Sequence, residues 1–187
     1  LSLVFHGLVA KLTPFVWNVG LKDYQKDRII LFLDPGKDPL GGGYHLLQSK
    51  IAIGSGGLFG TGLLKGKLTN LQFIPEQHTD FIFSALGEEV GFFGSILVVL
   101  IFFLLIWQLI KIANNARTDF ESLIVIGIAS IFLFQIIINI YMTIGLGPVT
   151  GIPLPFMSYG RTSLLINFVC MGLALSTYKR HISVKDS

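Results

Sequence analysis

The sequence predicts an all-α polytopic membrane protein with three or four transmembrane helices, a large extracytoplasmic loop and a short re-entrant or interfacial Pro-rich loop. Three observations predict it. Hydrophobic residues make up 52% of the 187 residues and charged ones only 13%, about half the charged share of an ordinary soluble domain. The charges leave two long gaps, none between Glu89 and Lys111 and none between Glu121 and Arg161. A bilayer core about 30 Å thick is crossed by roughly 20 apolar helical residues, which each gap accommodates. Finally, ten of the 21 glycines fall in residues 21–80, the mark of a long loop. A large soluble core is the rival explanation, and it rarely leaves two such gaps in so short a chain.

In chain order, residues 1–20 are apolar but interrupted by His6, Lys11 and Pro14, and they read as a partial span. The chain begins Leu1-Ser2-Leu3 with no basic n-region, which argues against a signal peptide. The expectation is a fragment that starts inside a larger membrane protein. Residues 21–80 form the extracytoplasmic loop. Within it, 22–33 is amphipathic, and Ile29, Ile30, Phe32 and Leu33 suit the bilayer surface. Asp34-Pro35-Gly36-Lys37-Asp38-Pro39 reads as a turn, and glycine runs bracket a short helical segment around Tyr44 to Ile53.

The spacing then predicts one long helix over 81–110, a cytoplasmic connector at 111–122 and a span at 123–146. Residues 147–161 are too rich in Gly and Pro for a regular helix. They are also too apolar for a solvated loop, so they must lie on the membrane face or dip into the protein, where irregular backbone is shielded from lipid. A last span at 162–178 leads to a tail at 179–187 that opens Lys179-Arg180-His181. The basic residues of the connector and the tail put both in the cytoplasm. The 21–80 loop and the Pro-rich turn then share the outer side. The lone Cys170 has no disulfide partner. The net charge of +3 comes with no polybasic run, so nucleic acid is not implied.

Chemistry has few candidates. No His or Cys pair has metal-ligand spacing, and no nucleophile elbow or phosphate loop is present. Pro75-Glu76-Gln77-His78-Thr79-Asp80 joins the loop to a membrane helix, at the level of the outer headgroups. Thr79 or Asp80 suits a helix N-cap. A carboxylate there also suits a general base on a sugar hydroxyl, or a ligand to a divalent cation on a diphosphate. Glu88 and Glu89 are costly inside a membrane helix and are therefore functional candidates. Eight helical residues rise about 12 Å, too far for Glu88 to form a two-carboxylate site with Asp80. Glu88 instead suits a buried cation partner or the lining of a polar cavity. Arg161, at the outer end of the last span, suits a contact with Glu88, Glu89 or a phosphate, or snorkelling to the interface. Gly87-x-x-x-Gly91 suits close helix packing.

Taken in order, several motifs resemble one family. They are Asp38-Pro39-Leu40-Gly41, Gly43-Tyr44-His45, Gln48-Ser49 and Gly56-Gly57-Leu58-Phe59-Gly60. After them come Pro75-Glu76-Gln77-His78-Thr79-Asp80-Phe81, Gly87-Glu88-Glu89 and Pro153-Leu154-Pro155-Phe156-x-Ser158-Tyr159-Gly160. Together, over residues 20 to 180, they are similar to the SEDS (shape, elongation, division and sporulation) proteins of RodA/FtsW type. Gly145-Leu146-x-Pro148-Val149-Thr150-Gly151-Ile152-Pro153 is closer to the RodA-like branch. One departure is Arg161-Thr162-Ser163 after Gly160, where the family commonly continues Gly-Ser-Ser.

The resemblance implies a peptidoglycan glycosyltransferase in a bacterial cytoplasmic membrane, or a plastid-type membrane in a peptidoglycan-bearing organelle. It implies polymerisation of lipid II, a class B penicillin-binding protein as partner and a divalent cation (Mg or Mn) as cofactor. It makes Asp80 the catalytic residue and a candidate metal ligand. His78, Thr79, Glu76, Lys50, Glu88 and Arg161 are the candidates for substrate binding, Glu88 and Arg161 among them from their own positions rather than from the family. Two other readings stay open: a flippase for lipid-linked precursors, with broken helices lining a pathway, and a non-enzymatic scaffold for the penicillin-binding protein.

Overall fold

The computed structural model describes residues 22, 28, 42–62, 65–66 and 80–185. The expected partial span, most of the 22–33 stretch, the turn at 34–39 and residues 76–79 lie outside the described residues. The described residues are helical, with no strand: α1 (Gly42–Gly56), α2 (Ile82–Asn114), α3 (Asp119–Thr143) and α4 (Arg161–Lys185).

Among the described residues, α2 and α3 are long and apolar enough to cross a membrane. Only 17% of the most apolar stretch of α2 is buried, and 33% of that of α3, the reverse of a soluble core helix. Phe92, Phe103 and Leu104 of α2 and Ile131 and Phe134 of α3 stand exposed, where lipid is their natural solvent. The span expected at 162–178 falls inside α4, which is the least apolar of the three long helices. α4 buries Asn167 and Thr177.

Helix ends follow local chemistry. The Thr118 side chain accepts a hydrogen bond from Glu121 N–H at 3.2 Å, and Asp119 and Glu121 occupy the first turn of α3, where acidic groups complement the helix dipole. This cap starts α3 before the expected 123. α2 meanwhile continues past 110 to Asn114, with Lys111 in its last turn. The connector expected at 111–122 is correspondingly shorter. α3 stops at Thr143, where Leu146 N–H bonds Tyr141 O (3.0 Å) and Gly145 N–H bonds Met142 O (3.1 Å), the paired closure of a Schellman stop. α1 is longer than the expected Tyr44–Ile53 segment and takes in the flanking glycines. Burial of Leu46, Ser49 and Ala52 outweighs their poor helix propensity.

The core is a seam. Phe102, Ile106, Leu109 and Ala113 of α2 recur at helical spacing and meet Val125, Ile128, Ala129, Phe132 and Ile136 of α3, with Ala174 of α4 and Leu154 closing it. α1 docks across the end of this pair formed by the start of α2 and the C-terminus of α3. Ser49 Oγ donates to Thr143 O at 2.7 Å in a buried bond.

One expectation is corrected here. The helix expected to run unbroken through 81–110 breaks at Gly91 (φ 70°, ψ −166°). A helix would pair Glu88 O with Phe92 N–H and Glu89 O with Phe93 N–H. Instead residues 57–62 lie alongside as a strap. Thr61 and Gly62 donate to Glu88 O and Glu89 O, both at 3.0 Å. Phe92 and Phe93 donate to Gly57 O (2.9 Å) and Leu58 O (3.2 Å). Two helix bonds are exchanged for four, so these four groups stay paired, as irregular backbone at membrane depth requires. A side chain on Gly60 or Gly91 would collide with the opposing backbone, and Gly91 also needs its positive φ. The Gly87-x-x-x-Gly91 motif thus does two jobs. Gly87 admits Ile53 of α1, whose Cγ1 lies 3.2 Å from where a Cβ would be, while Gly91 admits the strap.

Candidate functional site

Asp80 sits in the turn just before α2. The N-cap role suited to Asp80 is not the one observed. The cap residue is Phe81, and no side chain caps the helix. Asp80 is instead tied to the Pro-rich turn. Asn139, fully buried on α3, donates from Nδ2 to Asp80 O (2.9 Å) and to Ile152 O (2.8 Å). One amide thereby joins the start of α2 to the segment after α3. Asn139 Oδ1 is buried with no hydrogen-bond partner among the described residues.

The 150–158 segment turns into the bundle. Leu154 N–H donates to Ser158 Oγ at 2.7 Å and Ser158 N–H returns to Leu154 O at 3.0 Å. Leu154 and Pro155 are buried. Phe156 takes a positive φ of 63°, a strained state for a bulky residue. Its ring is wedged edge-on between Phe132 of α3 (5.5 Å) and Phe168 of α4 (5.9 Å), contacts that offset the strain.

This anchoring presents Gly151, at φ +74°, to the charged groups. A Cβ there would lie 3.3 Å from Asp80 Oδ2 and 4.0 Å from Arg28 Nη2. Arg28 Nη1 donates to Thr150 O at 2.6 Å. A carboxylate and a guanidinium therefore converge where the chain carries no side chain. Beyond Gly151 an open, mostly apolar recess of about 620 Å³ is walled by Ile131, Phe134, Ile152 and Pro153, with Ser130 and Gln135.

The other expected site residues fall elsewhere. Glu76, His78 and Thr79 lie outside the described residues. Lys50 is exposed on α1 and drapes its stem over Gly145, which sets its ammonium at the C-terminal end of α3, where the helix dipole favours a cation. Glu88 is 1% exposed, beside the strap. Arg161 stands exposed at the start of α4; among the described residues it is not brought to Glu88. The sequence reading missed Arg28 and Asn139. Arg28 was absorbed into an amphipathic stretch. Asn139 was legible as one of two amides, with Gln135, in an uncharged span, a residue type that in lipid signals an interhelical bond.

Among the described residues no group of three His, Cys, Asp or Glu side chains assembles. Asp80 contributes one carboxylate, which fits a Mg²⁺-like ion held by one or two carboxylates and completed by substrate phosphates.

A family model described as cell cycle protein (FtsW, RodA, SpoVE) matches residues 1–182. The peptidoglycan glycosyltransferase MrdB of Escherichia coli K12 is 43% identical over 178 residues, which is 94% of this chain and 48% of that protein. A probable peptidoglycan glycosyltransferase FtsW of Trichlorobacter lovleyi is 43% identical over 171 residues, 91% of this chain and 44% of that one. Equal identities do not sort the chain between branches. A solved structure described as structural coordination of polymerization and crosslinking by a peptidoglycan synthase complex matches with TM-score 0.72 and 30% identity, over 97% of this chain and 49% of that one. The chain spans about half the length of the curated relatives it matches.

Proposed function

Because the chain belongs to the FtsW/RodA/SpoVE family, we propose that it carries the acceptor-activating site of a peptidoglycan glycosyltransferase. The enzyme polymerises lipid II in the bacterial cytoplasmic membrane and, by its RodA-like turn at 145–153, serves cell elongation. The observation that carries this reading is the convergence of Asp80 Oδ2 and Arg28 Nη2 on Gly151, beside an apolar recess. A lipid-linked acceptor calls for a base at its hydroxyl and an apolar wall for its lipid, and both meet at this point.

In this mechanism Asp80 takes the proton of the acceptor's GlcNAc 4-hydroxyl. The oxygen attacks the anomeric carbon of the donor MurNAc, and the bond to the diphosphate breaks. Undecaprenyl diphosphate leaves with the electron pair, and the single displacement inverts the centre. Asn139 fixes the backbone of Asp80 against Ile152, so the carboxylate keeps its aim during proton transfer. A divalent cation held by Asp80 and the diphosphate would neutralise charge on the leaving group. A class B penicillin-binding protein cross-links the emerging strand, a pairing suggested by the synthase complex that the fold resembles.

A second reading has one observation in its favour. The break at Gly91 beside the buried Glu88 resembles the discontinuous helices of transporters, which would suit a precursor flippase. The test is purified protein, as its gene encodes it in full, given lipid II and a divalent cation. Glycan strands from wild type and none from Asp80→Ala support the polymerase. Strands from Asp80→Ala reject the site. Translocation in vesicles without strands supports the flippase.

A further inference from the structure

The structure brings Arg28 against the Pro-rich turn beside Asp80, and we propose that its guanidinium is a contact for the diphosphate of the lipid-linked substrate. The proposal rests on the glycosyltransferase reading for the ligand's identity. Three observations carry it. Arg28 Nη1 is held by Thr150 O at 2.6 Å, a short charge-assisted bond that fixes the plane of the group. That bond uses one of five donors. Nη2 points to Gly151, where Asp80 Oδ2 also arrives, and Arg28 is exposed, so a ligand can reach its remaining edge.

The chemistry is complementary. A fork of N–H donors matches diphosphate oxygens in a way an ammonium does not. Anchoring on a backbone carbonyl pre-orients the fork, so little side-chain entropy is lost on binding. Gly151 matters because any Cβ would intrude on the space the two groups share. Arg28 then holds the diphosphate while Asp80 handles the hydroxyl proton. The two charges have separate tasks in one gap.

The test separates anchoring from charge. Arg28→Gln keeps an N–H for Thr150 O and removes the charge. Arg28→Lys keeps the charge and removes the fork. With gene-encoded full-length protein in nanodiscs, equilibrium binding of undecaprenyl diphosphate is measured beside inorganic pyrophosphate, together with lipid II kinetics and the unfolding temperature. Arg28→Gln is expected to weaken undecaprenyl diphosphate about ten- to a hundredfold, the worth of one charge-assisted contact. KM for lipid II rises more than kcat falls, the unfolding temperature holds, and Arg28→Lys recovers part of the affinity. Loss of pyrophosphate binding in parallel assigns the contact to the diphosphate itself. Wild-type binding and KM in Arg28→Gln overturn the proposal and leave the polymerase reading standing. Because binding is read without turnover, wild-type protein that binds but makes no strands sinks the polymerase reading alone.

Discussion

Among the described residues, the helical backbone breaks inside α2 at Gly91 and again between α3 and α4, and the two breaks are mended differently. At Gly91 the mending is done by backbone: the 57–62 strap supplies two donors and two acceptors to the four groups the break exposes. Between α3 and α4 the mending is done by side chains. Asn139 bridges Asp80 O and Ile152 O, Arg28 holds Thr150 O, and Ser158 holds Leu154 N–H. A break closed by backbone is self-contained and needs only glycines to let the chains approach. A break closed by side chains draws residues from distant segments to one point, and at that point the carboxylate and guanidinium meet. The first arrangement makes shape, and the second makes a site.

The largest effect should come from Asp80. Asp80→Asn keeps the shape of the side chain and its backbone tie to Asn139 but cannot take a proton. Glycan synthesis from lipid II should fall at least about a hundredfold, with an unchanged unfolding temperature. Activity near wild type would make the turn as purely structural as the strap. Next comes Gly60→Val on the other side of the comparison. Its side chain would meet the backbone of Glu89 and Val90, which cannot yield without breaking the strap bonds. A loss of about 4 kcal/mol or more, seen as low yield and early unfolding, is expected from such overpacking at a positive φ. Asn139→Leu should come after it. It strips two carbonyls of their donor, costing about 2–4 kcal/mol, and it should lower kcat as well as stability because Asp80 loses its backbone tie. A loss of stability with kcat intact would show that Asn139 does not aim the carboxylate.

The two regions were also unequally legible. Charge gaps located α2 and α3, because lipid tolerates few charges anywhere along a span. Asp80, in the turn before α2, was readable from a family motif. The strap was not, although Gly56-Gly57 and Gly60-Thr61-Gly62 stand in the sequence. Glycines announce a turn or a close approach without naming the partner chain, and the partner lies about thirty residues on, inside what reads as unbroken helix. Arg28 was hidden for a different reason. A single arginine in an amphipathic stretch satisfies the bilayer-surface pattern, and only its tertiary contact with Thr150 O distinguishes it. N-capping was the natural expectation for Asp80, yet the Asn139 bridge turns the residue toward Gly151.

The smallest expected effect sharpens the comparison most. In the strap, Thr61 donates twice to Glu88 O, from its backbone N–H and from Oγ1, both at 3.0 Å. Thr61→Val removes only the hydroxyl and keeps the β-branched shape, so the carbonyl retains a donor. Desolvation of an orphaned acceptor, the costly part of losing a hydrogen bond, does not arise. The loss should be about 0.5–1 kcal/mol, a shift of a few degrees in unfolding temperature, with kcat and KM for lipid II unchanged. A loss as large as that of Asn139→Leu would mean the strap depends on its side chain after all. A fall in kcat with stability intact would mean that the Gly91 break, with Glu88 beneath it, belongs to the chemistry and not only to the frame.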